Sequence, residues 1–477
     1  MANRYLEGAL APISEEYTLT DLAVTGEIPD YLDGRYLRNG PNPIGEIDPE
    51  LYHWFLGDGM VHGIRLRDGK AEWYRNRWVR SPMAARALGE SVPPGRSAIS
   101  QMGANTNVIG HAGKTLALIE AGVPNYELTD ELDTVGVCDF DGTLPGGYTA
   151  HPKRDPVTGE LHAVTYSMMR GNTVQYSVIG IDGRARRTVD IEVAGSPMMH
   201  DFSLTERHVV FYDLPVTFDT GQAVAMTVPR ALRLPARLVL SALIGRVRIP
   251  DPISARLPAG NTADRRFPYS WNPDYPARIG VMPREGTNAD VRWFEVEPCY
   301  VFHPMNAYDD GETIVLDVVR HPKMFDADRL GPNEGPPTLE RWTVDLADDK
   351  VRESRIDDRG QEFPRVDERL VGKRHRYGYA PCVEDDAADT LLKHDLVGGG
   401  AASRSFGQGK SLGEFVFHPS SPDAAEDDGV LMGYVYDQST DRSELAILDA
   451  QTLDDVAAVK LPHRVPAGFH GNWVPTA

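Results

Sequence analysis

Apolar runs of seven to nine residues recur along the chain: TLALIEA (115–121), TVQYSVIGI (173–181), HVVFYDL (208–214), TIVLDVV (313–319), LERWTVDL (339–346), GVLMGYVYD (429–437) and ELAILDA (444–450). Their length and the turn residues between them mark strands rather than helices. Asp-Gly stands at seven places, starting at 33, 58, 68, 141, 182, 310 and 428. That dipeptide suits the positive φ angles of tight hairpins. Many short antiparallel strands with frequent turns belong to a sandwich, a barrel or a propeller. At 477 residues a propeller accommodates the strand number best. No clean repeat is visible, so its blades are expected to be degenerate in sequence.

No linker or low-complexity break divides the chain, and residues 1–477 read as one domain. The glycine-rich stretch VGGGAASRSFGQGKSLG (397–413) lies between strand-like runs and reads as a loop inside it. One segment is foreign to the β pattern. Residues 229–250, PRALRLPARLVLSALIGRVRIP, carry five arginines, no acid and many leucines.

The formal charge of −21 repels nucleic acid and anionic lipid on average, which argues against a nucleic-acid partner. Cys138, Cys299 and Cys382 are an odd number without a Cys-x-x-Cys pair. They suggest neither a disulfide framework nor a thiolate metal site, and fit a reducing cytoplasm. The opening residues lack the apolar core of a signal peptide, and no run is long enough to span a membrane.

Two familiar motifs fail on context. GKSLG (409–413) fits Gly-x-Ser-x-Gly, but a strand-like EFVFHP follows where a nucleophile elbow needs a helix. The GKS within it lacks the first glycine of a phosphate loop, since position 404 is Arg. Histidines are more informative. Most of the 14 are ordinary surface or core residues. Four share a local grammar: His151 in GGYTAHP, His200 in GSPMMHDF, His303 in CYVFHPMNAY and His470 in PAGFHGNW. Each follows a short apolar or small-residue stretch and precedes a turn-like residue, as at the end of a strand. Pro152 and Pro304 would hold the preceding histidine extended and stop the strand. His321-Pro322 and His418-Pro419 share the dipeptide, so the dipeptide alone is weak evidence.

The stretches YLRNGPNP (36–43), YHWFLGDGMVH (52–62), GGYTAHPKRDP (146–156), MMHDFSLTERHVVFYD (198–213), YVFHPMNAY (300–308), QEFPRVD (361–367), GEFVFHP (413–419), EDDGVLM (426–432) and GFHGNW (468–473) resemble carotenoid cleavage oxygenases. These are seven-bladed propeller iron enzymes that include retinoid isomerases and stilbene cleavers. The match runs in family order over nearly the whole chain and is most similar to the actinobacterial carotenoid and apocarotenoid cleavers.

The resemblance implies an all-β, seven-bladed propeller with a loop and helix cap over its upper face. It implies one Fe(2+) on the axis held by His151, His200, His303 and His470, with Glu120 orienting His200, Glu362 orienting His303 and Glu414 orienting His470. His151 is left without a carboxylate. Imidazoles are good iron ligands, and four of them leave two positions of an octahedron open. The implied activity is that of a non-haem iron(II) dioxygenase. It would cleave a conjugated C=C bond of a carotenoid or apocarotenoid with O2, giving two carbonyl (apocarotenal or retinal-like) products. Phe55 and Phe363 match aromatic tunnel positions, where lining the tunnel and packing the core are both open roles.

Stilbene or phenylpropanoid cleavage is the alternative. Stilbene cleavers resemble one another in a lysine before the first glutamate, and here that substrate-facing position is Ile119, which cannot hold a phenolate. A propeller serving only as a binding scaffold would hold no iron. Carotenoids partition into bilayers, so the basic, leucine-rich segment 229–250 reads as an interfacial helix. It would make a cytoplasmic protein peripherally membrane-associated.

Overall fold

A computed structural model describes residues 3–94, 103–144, 147–221, 224, 232–243, 267–332, 334–384 and 388–476. Its strands form the seven blades of a β-propeller, every pair antiparallel. The third blade, for example, runs Lys153–Arg154, Leu161–Thr165, Thr173–Ile179 and Ala185–Glu192 outward from the axis in chain order. The fifth runs Tyr300–Asp310, Thr313–His321, Thr338–Asp345 and Lys350–Asp357. Apart from the blades, Val216–Phe218 pairs with Tyr269–Trp271 as a two-stranded ribbon.

Middle strands such as Leu161–Thr165, Thr173–Ile179 and Thr313–His321 are buried along nearly their whole length because neighbouring blades cover both of their faces. Outer strands such as Lys350–Asp357 carry only exposed and half-buried residues. The largest apolar cluster joins the third, fourth and fifth blades through Tyr176, Phe211 and Trp342. Burying such aromatics removes roughly 150–250 Å² apiece from water. Packing between blades therefore holds the ring together.

The two chain ends exchange strands. Ala23–Gly26 adds an outer strand to the last blade by pairing with Asp455–Lys460. Gly471–Pro475 adds the strand beside Gly34–Pro41 in the first blade, with Arg38 opposite Gly471 and Gly34 opposite Pro475. Before that strand, the Asn39 amide donates to the His470 carbonyl (2.9 Å), and the His470 amide donates to the Thr106 carbonyl (3.1 Å). A side chain at Gly471 would meet the Leu37 carbonyl, so only glycine lets the tail approach this closely.

Some expectations need correction. Asp68-Gly69, Asp182-Gly183 and Asp310-Gly311 do turn between paired strands. At 33, 58 and 428 the dipeptide instead leads into a strand, because Gly34, Gly59 and Gly429 pack against neighbouring backbone where a Cβ would collide. The 397–413 stretch is not simply a loop, since Ala401–Ser405 is the outer strand of the sixth blade and Lys410–Leu412 pairs in the seventh. Three of the four histidines also sit just before a strand and the fourth inside one, none at a strand's end. His151 and His200 lie two residues before Lys153–Arg154 and Phe202–Leu204, His470 directly before Gly471–Pro475, and His303 inside Tyr300–Asp310. Pro304 does not stop that strand. It causes a register break on the edge facing the axis, where a missing N–H costs no ladder bond.

Of the segment 229–250, a helix is described over Arg233–Leu243. Residues 229–231 and 244–250, with Pro229, Arg230, Ile244, Arg246, Arg248 and Pro250, lie outside the described residues. Leu234, Leu238 and Val239 are 72%, 66% and 59% exposed, while Leu240 packs against the large core cluster. No described helix is long and apolar enough to cross a membrane.

Candidate metal centre

Four blades bring His151, His200, His303 and His470 together, all buried, with ligand-capable atoms within 4.8 Å of one another. Their ring centroids stand 4.3 Å (151–200), 4.6 Å (151–470), 4.7 Å (303–470) and 5.0 Å (200–303) apart.

Each imidazole has a face toward the centre and a face toward its support. His303 Nδ1 lies 2.6 Å from Glu362 Oε2, and His470 Nδ1 lies 3.0 Å from Glu414 Oε1. His200 Nδ1 lies 2.8 Å from Glu120 Oε2, off the line of a well-formed hydrogen bond. Asp201 Oδ2 stands 3.8 Å from His151 Nδ1, beyond hydrogen-bond reach, and accepts instead from Lys153 Nζ at 2.8 Å. Burial pushes His303 down to about 4 and His151 well below the ordinary imidazole range. Burial opposes ionisation of Glu362 and Glu414, but the donors around them win and hold both carboxyls below their usual range. The consistent state is a neutral imidazole donating Nδ1–H to an ionised carboxylate, which leaves Nε2 as a bare lone pair.

That state tests the fit to a cation. His200 Nε2 and His303 Nε2 face each other across 3.1 Å, the separation of two adjacent ligands of one ion or of one ring's Nε2–H donating to the other. His151 Nε2 is buried with no hydrogen-bond partner among the described residues. At imidazole–metal bonds of roughly 2.1 Å, adjacent ligands of one ion stand roughly 3.0 Å apart. The donor set fits a borderline divalent metal.

The carboxylates are themselves tied down. Glu120 Oε2 accepts from the Tyr166 hydroxyl at 2.8 Å. Glu362 Oε1 accepts from His321 Nε2 at 2.7 Å. Glu414 Oε2 accepts from the Gly471 amide at 2.8 Å and faces the Arg365 guanidinium at 3.3 Å. Tyr166 and Arg365 carried no signal in the sequence, and His321 figured there only as another His-Pro dipeptide beside His418.

On one side the histidines meet aromatic rings. Phe363 lies 5.4 Å from His303 and 5.5 Å from His470, and Phe302 lies 4.9 Å from His200. Phe55 sits edge-on to Phe267, Phe302, Phe325 and Phe469 at 5.5 to 6.0 Å. Phe363 holds a left-handed backbone at φ 53°, rare for an aromatic, which aims its amide at Glu362 Oε2 (2.5 Å). Ile119 is buried in a separate cluster with Val61, Ala117 and Tyr126. On the other side a polar cavity of about 730 Å³ reaches His151, His303 and His470 past Asp201, Arg365 and Glu414. Phe55, Phe363 and Ile119 do not line it. No feature of the sequence pointed to that cavity.

Comparison with known proteins agrees over nearly the full length. The model of the family RPE65, retinal pigment epithelial membrane protein, matches residues 10–475. A carotenoid cleavage oxygenase of Mycobacterium tuberculosis is 60% identical, over 99% of this chain and 98% of its own. Carotenoid 9,10(9',10')-cleavage dioxygenase 1 of Arabidopsis thaliana is 32% identical (98% and 89%), and isoeugenol monooxygenase of Pseudomonas nitroreducens 31% (98% and 98%). Among solved structures, a lignostilbene dioxygenase of Pseudomonas brassicacearum superposes with a TM-score of 0.82 at 27% identity, over 99% of this chain and 98% of that one. A cobalt-substituted Synechocystis ACO superposes with a TM-score of 0.79 at 28% identity, over 98% and 97%. With a family match from end to end and a mycobacterial relative identical at three positions in five, this chain belongs to the RPE65 family of carotenoid cleavage oxygenases.

Proposed function

We propose that the chain, working as one domain, is an iron(II) oxygenase that splits one conjugated C=C bond of a carotenoid or apocarotenoid with O2 into two carbonyl products. The observation that carries this is the convergence of four buried imidazoles, including the unpartnered His151 Nε2, beside an aromatic cluster. His151, His200, His303 and His470 would hold the ion, which when bound supplies the means of activating dioxygen for attack on the alkene. Glu120, Glu362 and Glu414 keep their histidines in the Nδ1–H tautomer and contribute negative charge. Phe55, Phe302 and Phe363 offer π faces to a flat polyene and keep water away from the reacting carbons. No side-chain acid or base is required, because both oxygen atoms enter the products and no proton is transferred.

Phenylpropanoid or stilbene cleavage is the second reading, favoured by the lignostilbene dioxygenase and isoeugenol monooxygenase relatives. Ile119, apolar and buried, argues against it because it offers no charge to a phenolate. Both readings are tested by incubating the iron-loaded protein with β-carotene, apocarotenals and resveratrol in air and under argon, with products identified by mass spectrometry. Cleavage of resveratrol alone favours the second reading. Failure to cleave any of them, or cleavage unaffected by iron removal, rejects the first.

Two further outcomes are expected. Glu362→Gln and Glu414→Gln should each weaken metal binding or activity by roughly 10–100-fold, measured by chelator competition and initial rates. The exposed Leu234, Leu238 and Val239 would meet a bilayer as an interfacial helix beside the substrate route. Replacing all three with Ser should weaken sedimentation with anionic liposomes, while cleavage of detergent-dispersed substrate falls much less. Unchanged liposome binding would remove this helix as the membrane contact.

A further inference from the structure

We infer that His321 is a positioning residue for the metal centre, acting through Glu362 on His303. The inference rests on the metal-binding reading above and deepens it. Glu362 is buried and its two oxygens are used differently. Oε2 accepts from His303 Nδ1 at 2.6 Å and from the Phe363 amide at 2.5 Å, while Oε1 accepts from His321 Nε2 at 2.7 Å. Among the described residues His321 is the donor to Oε1. Without it, that oxygen would be a buried acceptor lacking its partner, and the carboxylate would be freer to turn about its Cγ–Cδ bond. Turning moves Oε2 off His303 Nδ1, and with it goes the restraint that keeps Nε2 bare and aimed at the centre.

The backbone supports this role. His321 ends Thr313–His321, the strand paired with the one that carries His303, and stands opposite Tyr300. Donor and ligand are therefore held by one sheet, while Glu362 reaches both from a separate segment. The Phe302 ring lies edge-on to His321 at 5.2 Å and closes the space around it. The other two carboxylates also carry a further side-chain donor, Arg365 on the Glu414 oxygen that His470 does not use and Tyr166 on the Glu120 oxygen that faces His200. Every glutamate supporting a histidine here carries one further side-chain donor, and His321 fills that place for Glu362.

The test compares wild type, His321→Phe and His321→Gln, with His321→Leu replacing the Phe variant if that fails to fold. Affinity for Co(II), a spectroscopic stand-in for the ferrous ion, is measured by chelator competition, together with the visible absorption of the bound cobalt and the melting temperature of each metal-free protein. The Phe variant should bind Co(II) about 10-fold more weakly, with an altered cobalt band. The Gln variant, whose amide can donate to Oε1, should recover most of that loss. Wild-type affinity and spectrum in the Phe variant, with only its melting temperature lowered, would overturn the proposal alone, as would a Gln variant no better than Phe. A wild-type protein that takes up no metal would overturn the functional reading beneath it as well.

Discussion

Changing His470 to alanine should leave the purified protein with little or no iron and no measurable cleavage of carotenoid, and the same is expected at His151, His200 and His303. The four side chains reach the centre from the innermost strands of four different blades, so no neighbour can move in to replace a lost one. Removing one imidazole also strands its carboxylate. Glu414 would keep the Gly471 amide and the Arg365 guanidinium but lose His470 Nδ1–H. His418→Ala is the informative control. It shares the His-Pro dipeptide and lines the same polar cavity, yet its ring packs on Trp473 and Tyr31 rather than on the cluster. Iron content by plasma mass spectrometry should be near wild type for His418→Ala and near zero for His470→Ala. Full iron in His470→Ala would refute the assignment.

Deleting residues 468–477 should do more damage than any single substitution, because it removes three things at once. The first blade loses the strand paired with Gly34–Pro41, the aromatic cluster loses Phe469, and the centre loses His470. The losses separate by calorimetry. A metal held at 100 times its dissociation constant stabilises the fold by about 2.7 kcal/mol, and chelation abolishes that part alone. Metal-free wild type and His470→Ala should therefore melt close together, below the metal-loaded wild type. The truncated chain should melt lower still. A truncated protein with wild-type iron and melting temperature would mean that the tail contributes neither ligand nor closure.

The strands with the strongest apolar runs were legible because blades bury both faces of them, and burial on both faces leaves a plain record in sequence. Ala401–Ser405 was not, since it is an exposed outer strand made of Ala, Ser and Arg and is held by one neighbour's backbone. The histidines were legible as a group through their flanking residues and the family resemblance. Their place on the strands was misread because a proline normally ends a strand, whereas Pro304 stays in its strand opposite Val318, between two shifts of register. Tyr166, His321 and Arg365 were invisible because each finds its carboxylate across 41 to 49 residues of chain or from a neighbouring blade. Only the ring makes them neighbours. Ile119, expected from the resemblance to face substrate, is buried among Val61, Ala117 and Tyr126.

The shared first blade also constrains how the protein is made. Its innermost strand, Gly471–Pro475, and the adjoining His470 are synthesised after the strands of every other blade. Blades two to six can pair their strands while translation continues, since each is built from one contiguous stretch. The first cannot be completed until residues 471–475 have left the ribosome to pair with Gly34–Pro41. A nascent chain that stalls before residue 470 carries three of the four clustered histidines and cannot close the first blade.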